Sequence, residues 1–222
     1  MTRSLRPLVP TPRSTVIVVT ADQVASRTRP DLTAGERDRL QTAYGERLLL
    51  PVARNAGDEL QLLSDDPGVI VDIVLELVRS GDWSVGVGVG EVREPLPDDI
   101  REASGAAFFA ARDAVERAKK SSPRFAIGAA STDAAHVEAL FRLALVLRDR
   151  RSPEGWEVYD RLRAGARQTD IADELGVSAP AISARMKSAN IRTELDALPA
   201  LARLLELLDA ASGSDAPMEG RP

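Results

Sequence analysis

Residues 168–187 place small, apolar, turn-forming and polar side chains at spacings that suit one task. Ile171, Leu175, Val177 and Ile182 supply apolar contacts, and Ala172 is small enough for two helices to cross beside it. Gly176 can take the left-handed backbone that ends a helix, Ser178 can cap the next one, and Pro180 falls in a first turn where a missing N–H costs nothing. Together these positions predict a helix-turn-helix rather than an ordinary pair of packed helices. Its second helix is expected in the major groove of double-stranded DNA, with Ser178, Ala179, Pro180 and Ser183 towards base edges. Arg185 and Lys187 reach phosphates or, for Arg185, a guanine edge, while Gln168 and Thr169 hold a phosphate at the start of the first helix. So mild a reading set binds weakly in one copy, which predicts a homodimer on a roughly palindromic site.

Other chemistries are poorly supplied. The 222 residues contain no cysteine, so disulfides, thiolate metal sites and thiol catalysis are excluded. The one histidine, His136, has no ligand or triad partner near it in sequence, which removes zinc sites and histidine-based triads. The net charge of -5 argues against general coating of nucleic acid but leaves room for a local basic face. No run approaches the ~20 apolar residues of a membrane helix, and Pro7, Pro10 and Pro12 interrupt any signal-like start. These features predict a cytoplasmic protein with no membrane partner.

The elements that must position the motif follow from periodicity. A β-branched run at 15–20 predicts a strand, 33–50 a helix, and 51–54 with 59–63 a hairpin around Asn55, Gly57 and Asp58. A helix opens at Asp66-Pro67, a strand covers 85–92, a helix 103–120 and a last strand 124–130. In the 85–92 strand valines alternate with Gly86, Gly88 and Gly90. A glycine face marks the close approach of a backbone, a ligand or a partner subunit, or else a loosely packed strand. Beyond a boundary near Ser131 the pattern is helical: 133–150, 153–163, the motif, and onward to about Leu208. Leu195, Leu198, Leu201, Leu204, Leu205 and Leu208 form a stripe for packing or dimerisation, or simply cap the helical part. Trp156 and Tyr159 read as core. Lys119-Lys120 and Arg148, Arg150 and Arg151 read as solvated helix ends, the second group bordering the DNA-binding part. Residues 1–13 are expected to be a flexible arm and 210–222 a disordered tail.

The element order β-α-β-β-α-β-α-β predicts an α+β, ferredoxin-like domain at 14–130, followed by an all-α helix-turn-helix domain at 131–209. The motif itself resembles those of many bacterial regulators, MarR-type and sigma-factor-like ones among them. The N-terminal half resembles the SatD family through residues 18–27, residues 55–61, the glycine-rich strand, Gly105 and residues 109–112. That family is in turn similar to class III nucleotide cyclases and their palm-like domain. The resemblance implies that Asp22 and Asp58 hold Mg²⁺ with a nucleotide and that Arg112 contacts the nucleotide; turn capping and a salt bridge are the plainer roles. Phe108 stands where cyclases carry an asparagine, and no base-selecting lysine is recognisable, so a non-cyclising relative is expected.

The resulting expectation is a sequence-specific, dimeric bacterial transcriptional regulator without enzymatic activity, whose N-terminal domain pairs subunits or senses a small-molecule or nucleotide ligand. The alternatives are a nucleotide-binding or nucleotide-converting enzyme with an appended DNA-binding module, and a plain interaction scaffold.

Overall fold

The computed structural model describes residues 16–212 except Ala56, with side chains described as far as Leu208. The arm expected at 1–13 lies outside the described residues, as does the expected tail from 213 onward. The first strand, β1 (Ile17–Gln23), forms from the β-branched run and is buried along nearly its whole length. Helix α1 (Thr33–Tyr44) ends earlier than its composition suggests: the chain tightens into one 3-10 turn at Gly45–Arg47, and Leu48 is already extended. The hairpin follows as β2 (Ala53–Arg54) and β3 (Glu59–Ser64), paired antiparallel.

Helix α2 (Pro67–Ser80) starts where Asp66 accepts hydrogen bonds from the Gly68 and Val69 N–H groups, with Pro67 opening its first turn. It stops at Gly81, whose φ of 74° is left-handed. Strand β4 (Trp83–Val89), helix α3 (Ala106–Ala118) and strand β5 (Phe125–Gly128) complete the sheet. The strand order is β2-β3-β1-β4-β5; β1 is antiparallel to both β3 and β4, and only β4 and β5 run parallel. The fold is thus mixed α and β, a five-stranded mixed sheet with helices on both faces. No helix among the described residues is long and apolar enough to cross a membrane.

The glycine face of β4 is occupied by the chain itself. A Cβ at Gly86 would lie 2.3 Å from the Val115 backbone nitrogen, one at Gly88 2.0 Å from the Ala107 carbonyl oxygen, and one at Gly128 2.5 Å from that of Ala110. Helix α3 answers with Ala107, Ala111, Ala114 and Ala118, all buried, so two surfaces without bulk meet backbone to backbone. Neither a ligand nor a second subunit has room there.

The opposite, valine face makes the main core. Ile17, Val19, Val85, Val87, Phe125 and Ile127 pack against α2, α4 (Ala134–Asp149) and the distal half of α8 (Ile191–Ser212). Phe125 and Phe141 stack with ring centroids 5.4 Å apart. Apolar packing therefore runs across residue 131: α4 and α8 share the sheet's core. Leu201, Leu205 and Leu208 of the leucine stripe are buried in it, with Leu198 and Leu204 beside them. Helix α8 continues to Ser212, past the expected start of the tail at 210.

A separate small core belongs to α5 (Pro153–Arg163), α6 (Gln168–Glu174) and α7 (Ala179–Ser188) with the start of α8. It contains Val158, Tyr159, Ile171, Ala172, Ile182, Met186 and Ile191, with Trp156 and Leu195 packed against it.

Between the two cores lies an ionic joint. The side chains of Arg148 and Arg151 are only 4% and 1% exposed, and both pair with the buried Glu194. Arg148 donates to the Tyr159 hydroxyl at 3.0 Å and Arg151 to the Ala189 carbonyl at 3.1 Å. Their guanidinium groups also lie 4.4–5.0 Å from the Trp156 and Tyr159 ring centroids. Arg148 and Arg151 are therefore not part of the solvated helix end that the charge run suggests. The run straddles the turn between α4 and α5, and the turn buries two of its three arginines.

Candidate nucleic-acid interface and carboxylate cleft

Helices α6 and α7 are joined by a turn whose geometry follows from its residues. Gly176 has φ of 63°, and the Val177 N–H donates to the Ala172 carbonyl at 3.0 Å, so the chain reverses within a few residues. The Ser178 hydroxyl accepts the Ala181 N–H at 3.4 Å, and Pro180 sits in the first turn of α7. Ile171 and Ile182 are fully buried between the helices, with Leu175 and Val177 at the edge of the same cluster.

This packing leaves one side of α7 free. Ser178, Ala179, Pro180, Ser183 and Lys187 are exposed, as is Thr169 on α6; Gln168 is half-buried. Arg185 is not on that side. It turns towards α5, where its guanidinium comes 3.6 Å from Glu157. Gln168, Ser183 and Lys187 instead share a groove of about 370 Å³ with Met186, Asn190, Arg192 and Thr193. The last three were not found by sequence reasoning. Their place depends on Asn190, which ends α7 with φ of 52° and swings the first turn of α8 alongside; asparagine after a helical run was the available signal.

The cations around the three helices sort into two kinds. Arg79 pairs with Asp160, Arg163 with Asp72, Arg161 with Glu174 and Arg185 with Glu157. Arg167, Lys187 and Arg192 are exposed and have no ion pair among the described residues. Beside α7, Lys187 and Arg192 are thus open to an external anion, while Asp170 and Asp173 of the adjoining α6 are exposed and likewise have no ion pair among the described residues.

The second candidate region is formed by the end of β1 and the hairpin. Asp22 at the end of β1 and Asp58 in the hairpin line one open cleft of about 680 Å³ with Gln23, Ser26, Arg27 and Lys119. The Lys119 ammonium lies 2.8 Å from Asp22 Oδ2 and 2.8 Å from Glu116 Oε1. Burial holds the Asp22 carboxyl above its ordinary pKa; Lys119 pulls the other way, and the nearby charges of Asp58 and Glu59 add to the rise. For Lys119 burial opposes the charge, but its bonds to Asp22 and Glu116 outweigh it and the pKa rises. Arg112 binds Glu59 at 2.8 and 3.1 Å, and Asn55 donates to the same carboxylate at 3.0 Å.

These residues do not fit the Mg²⁺ that the sequence resemblance implies. An ammonium already sits against the Asp22 oxygen a cation would take, and no group of three or more metal-ligating side chains comes together among the described residues. Arg112 is engaged by Glu59 rather than directed at a free phosphate position. His136 is a surface residue, 3.5 Å from Asp133.

Compared with known proteins, the chain matches no family model, no curated protein and no solved structure.

Proposed function

We propose that α6 and α7 act as a helix-turn-helix that binds double-stranded DNA in a sequence-specific manner, and that the protein is a bacterial transcriptional regulator working as a pair of copies. The reading is carried by one observation: the exposed polar face of α7 opens on a groove with Lys187 and Arg192, which have no ion pair among the described residues, while Arg161 and Arg185 nearby are neutralised. With α7 in the major groove, Ser178, Ala179, Pro180 and Ser183 face base edges, and Lys187 and Arg192 meet phosphates. Arg185 acts on α5 rather than on a guanine. The antiparallel order β2-β3-β1-β4 supports a ferredoxin-like, palm-related reading of the sheet, with β5 added at one edge. The carboxylate cleft, where Lys119 pairs with Asp22 and Arg112 with Glu59, takes no part in this reading.

Selection of bound sequences from a random duplex pool tests this directly. The expected result is an enriched inverted repeat whose binding weakens steeply with salt. Replacing Lys187 and Arg192 by alanine lowers the slope of log affinity against log salt by about 2, one unit for each phosphate no longer neutralised. No enrichment, or an unchanged slope in that variant, sinks the assignment.

A further inference from the structure

We propose that the outward face of α4 is the surface through which two copies of this chain pair, antiparallel about a twofold axis. The expectation of pairing rests on the DNA-binding reading; the location rests on the following geometry. Helix α4 buries Val137, Phe141 and Leu145 against the sheet, and on its other side Leu140, Leu143 and Leu147 are 47%, 58% and 39% exposed. Val146 lies beside them, so four of the seven large apolar side chains exposed among the described residues are on this one helix. Such concentration on a helix already packed on its other side is unlike scattered surface leucines.

The spacing adds a second argument. Asp133, His136, Leu140, Leu143, Leu147 and Arg150 follow one another at alternating steps of three and four, the seam of a coiled coil. The acid lies at one end of this row and the arginine at the other, and Arg150 has no ion pair among the described residues. An antiparallel pairing centred between Leu140 and Leu143 sets Leu140 against the partner's Leu143 and Asp133 against the partner's Arg150. A parallel pairing would instead oppose like charges at both ends. The row is therefore self-complementary in the sense a twofold interface requires.

Elimination agrees with it. The glycine face of β4 is filled by α3, and Leu201, Leu205 and Leu208 of α8 are inside the main core, so neither is open to a partner. A twofold axis through α4 also relates the two α7 helices by twofold symmetry, which is the symmetry of an inverted-repeat site.

Sedimentation velocity on the full chain at micromolar concentrations tests the proposal. The expected particle has twice the 23.8 kDa chain mass. Leu143→Glu with Leu147→Glu should raise the dissociation constant at least about 100-fold, because two apolar side chains and their partner copies would be replaced by charge. Circular dichroism should show an unchanged fold, since both positions are on the surface. Asp133→Arg alone should weaken pairing, and Asp133→Arg with Arg150→Asp should restore it; this series decides the matter if the glutamate variant misfolds. A wild-type monomer at every concentration overturns the proposal. So does a dimer that persists in the glutamate variant, or a charge swap that rescues nothing. A monomer that still selects a duplex removes the α4 seam and leaves DNA binding standing, whereas a dimer broken by these variants that selects none does the reverse.

Discussion

Arg148 and Arg151 on one hand, and Arg167 and Arg192 on the other, are the same residue type put to opposite uses within a short stretch of chain. The first pair is buried, shares the carboxylate of Glu194, and ties α4 to α5, α7 and α8. The second pair is exposed beside α7 and has no ion partner among the described residues. The contrast shows that a cation's role is set by what surrounds it after folding. A buried guanidinium must be neutralised and hydrogen-bonded, because leaving it alone in a low-dielectric interior is costly. An exposed one can stay open to an external anion at little cost to the fold. Arg148 Nε and Arg151 Nη1 nevertheless have no hydrogen-bond partner among the described residues, so the joint is a compromise that Glu194 holds together.

The sharpest way to break this contrast is Glu194→Ala, which strands two buried cations together. It should lower stability by about 3–5 kcal/mol in urea unfolding. A loss below about 1 kcal/mol would mean that water reaches the joint and that the two classes of arginine are less different than their burial implies.

A smaller effect is expected from a close approach that involves no charge. Gly88→Ala pushes a methyl group to 2.0 Å from the Ala107 carbonyl oxygen and forces α3 away from β4. The cost should be about 1–3 kcal/mol, read in the same unfolding assay. A neutral outcome would show that α3 is free to slide and that the ionic joint alone is rigid.

The exposed side of the comparison predicts the opposite pattern. Lys187→Ala with Arg192→Ala should leave stability within about 0.5 kcal/mol of the wild type while weakening duplex binding in fluorescence anisotropy. If this variant unfolds as readily as Glu194→Ala, these cations belong with the structural set.

The smallest effect is a pH dependence at Asp22. Its folded pKa is raised, so the folded chain keeps a proton that the unfolded chain has already released. The stability it contributes is fully present below the ordinary carboxyl value of 3.8 and is lost as pH rises through the folded value. Asp22→Asn should flatten that part of the stability–pH curve. A curve of unchanged slope would mean that Lys119 compensates Asp22 completely.

Much of the fold was legible in the chain, and the failures have physical causes. The turn at Gly176 and Ser178, the Asp66 cap and the glycine face of β4 are local rules, and local rules can be read without knowing the fold. The identity of the body filling the glycine face was not local: it required knowing that α3 crosses back over β4, with alanines at the matching turns. Helix α4 showed the same limit. Val137, Leu140, Phe141, Ala144, Leu145 and Leu147 all fit one helical period in the sequence, whereas the fold divides them, with Phe141 and Leu145 inside and Leu140 and Leu147 outside. The charge run at 148–151 misled because a solvated helix end and a buried ionic joint have the same composition; the distant Glu194 distinguishes them. In the candidate interface, Lys187 was found from the motif, but Arg192 was hidden behind the reversal at Asn190.

Helix α8 works as a measuring stick. Its first turns, with Ile191 and Leu195, belong to the small core, and Leu201, Leu205 and Leu208 belong to the large one. Both sets are satisfied only at one phase of one continuous helix. A single residue inserted between them would rotate one set by about 100° and advance it about 1.5 Å, so one of the two cores would have to let go. Seven residues would nearly restore the phase but lengthen the span by about 10 Å, beyond the reach of Glu194 to Arg148 and Arg151. The position of α7 relative to the sheet is therefore written in the number of residues in α8 as much as in their kind.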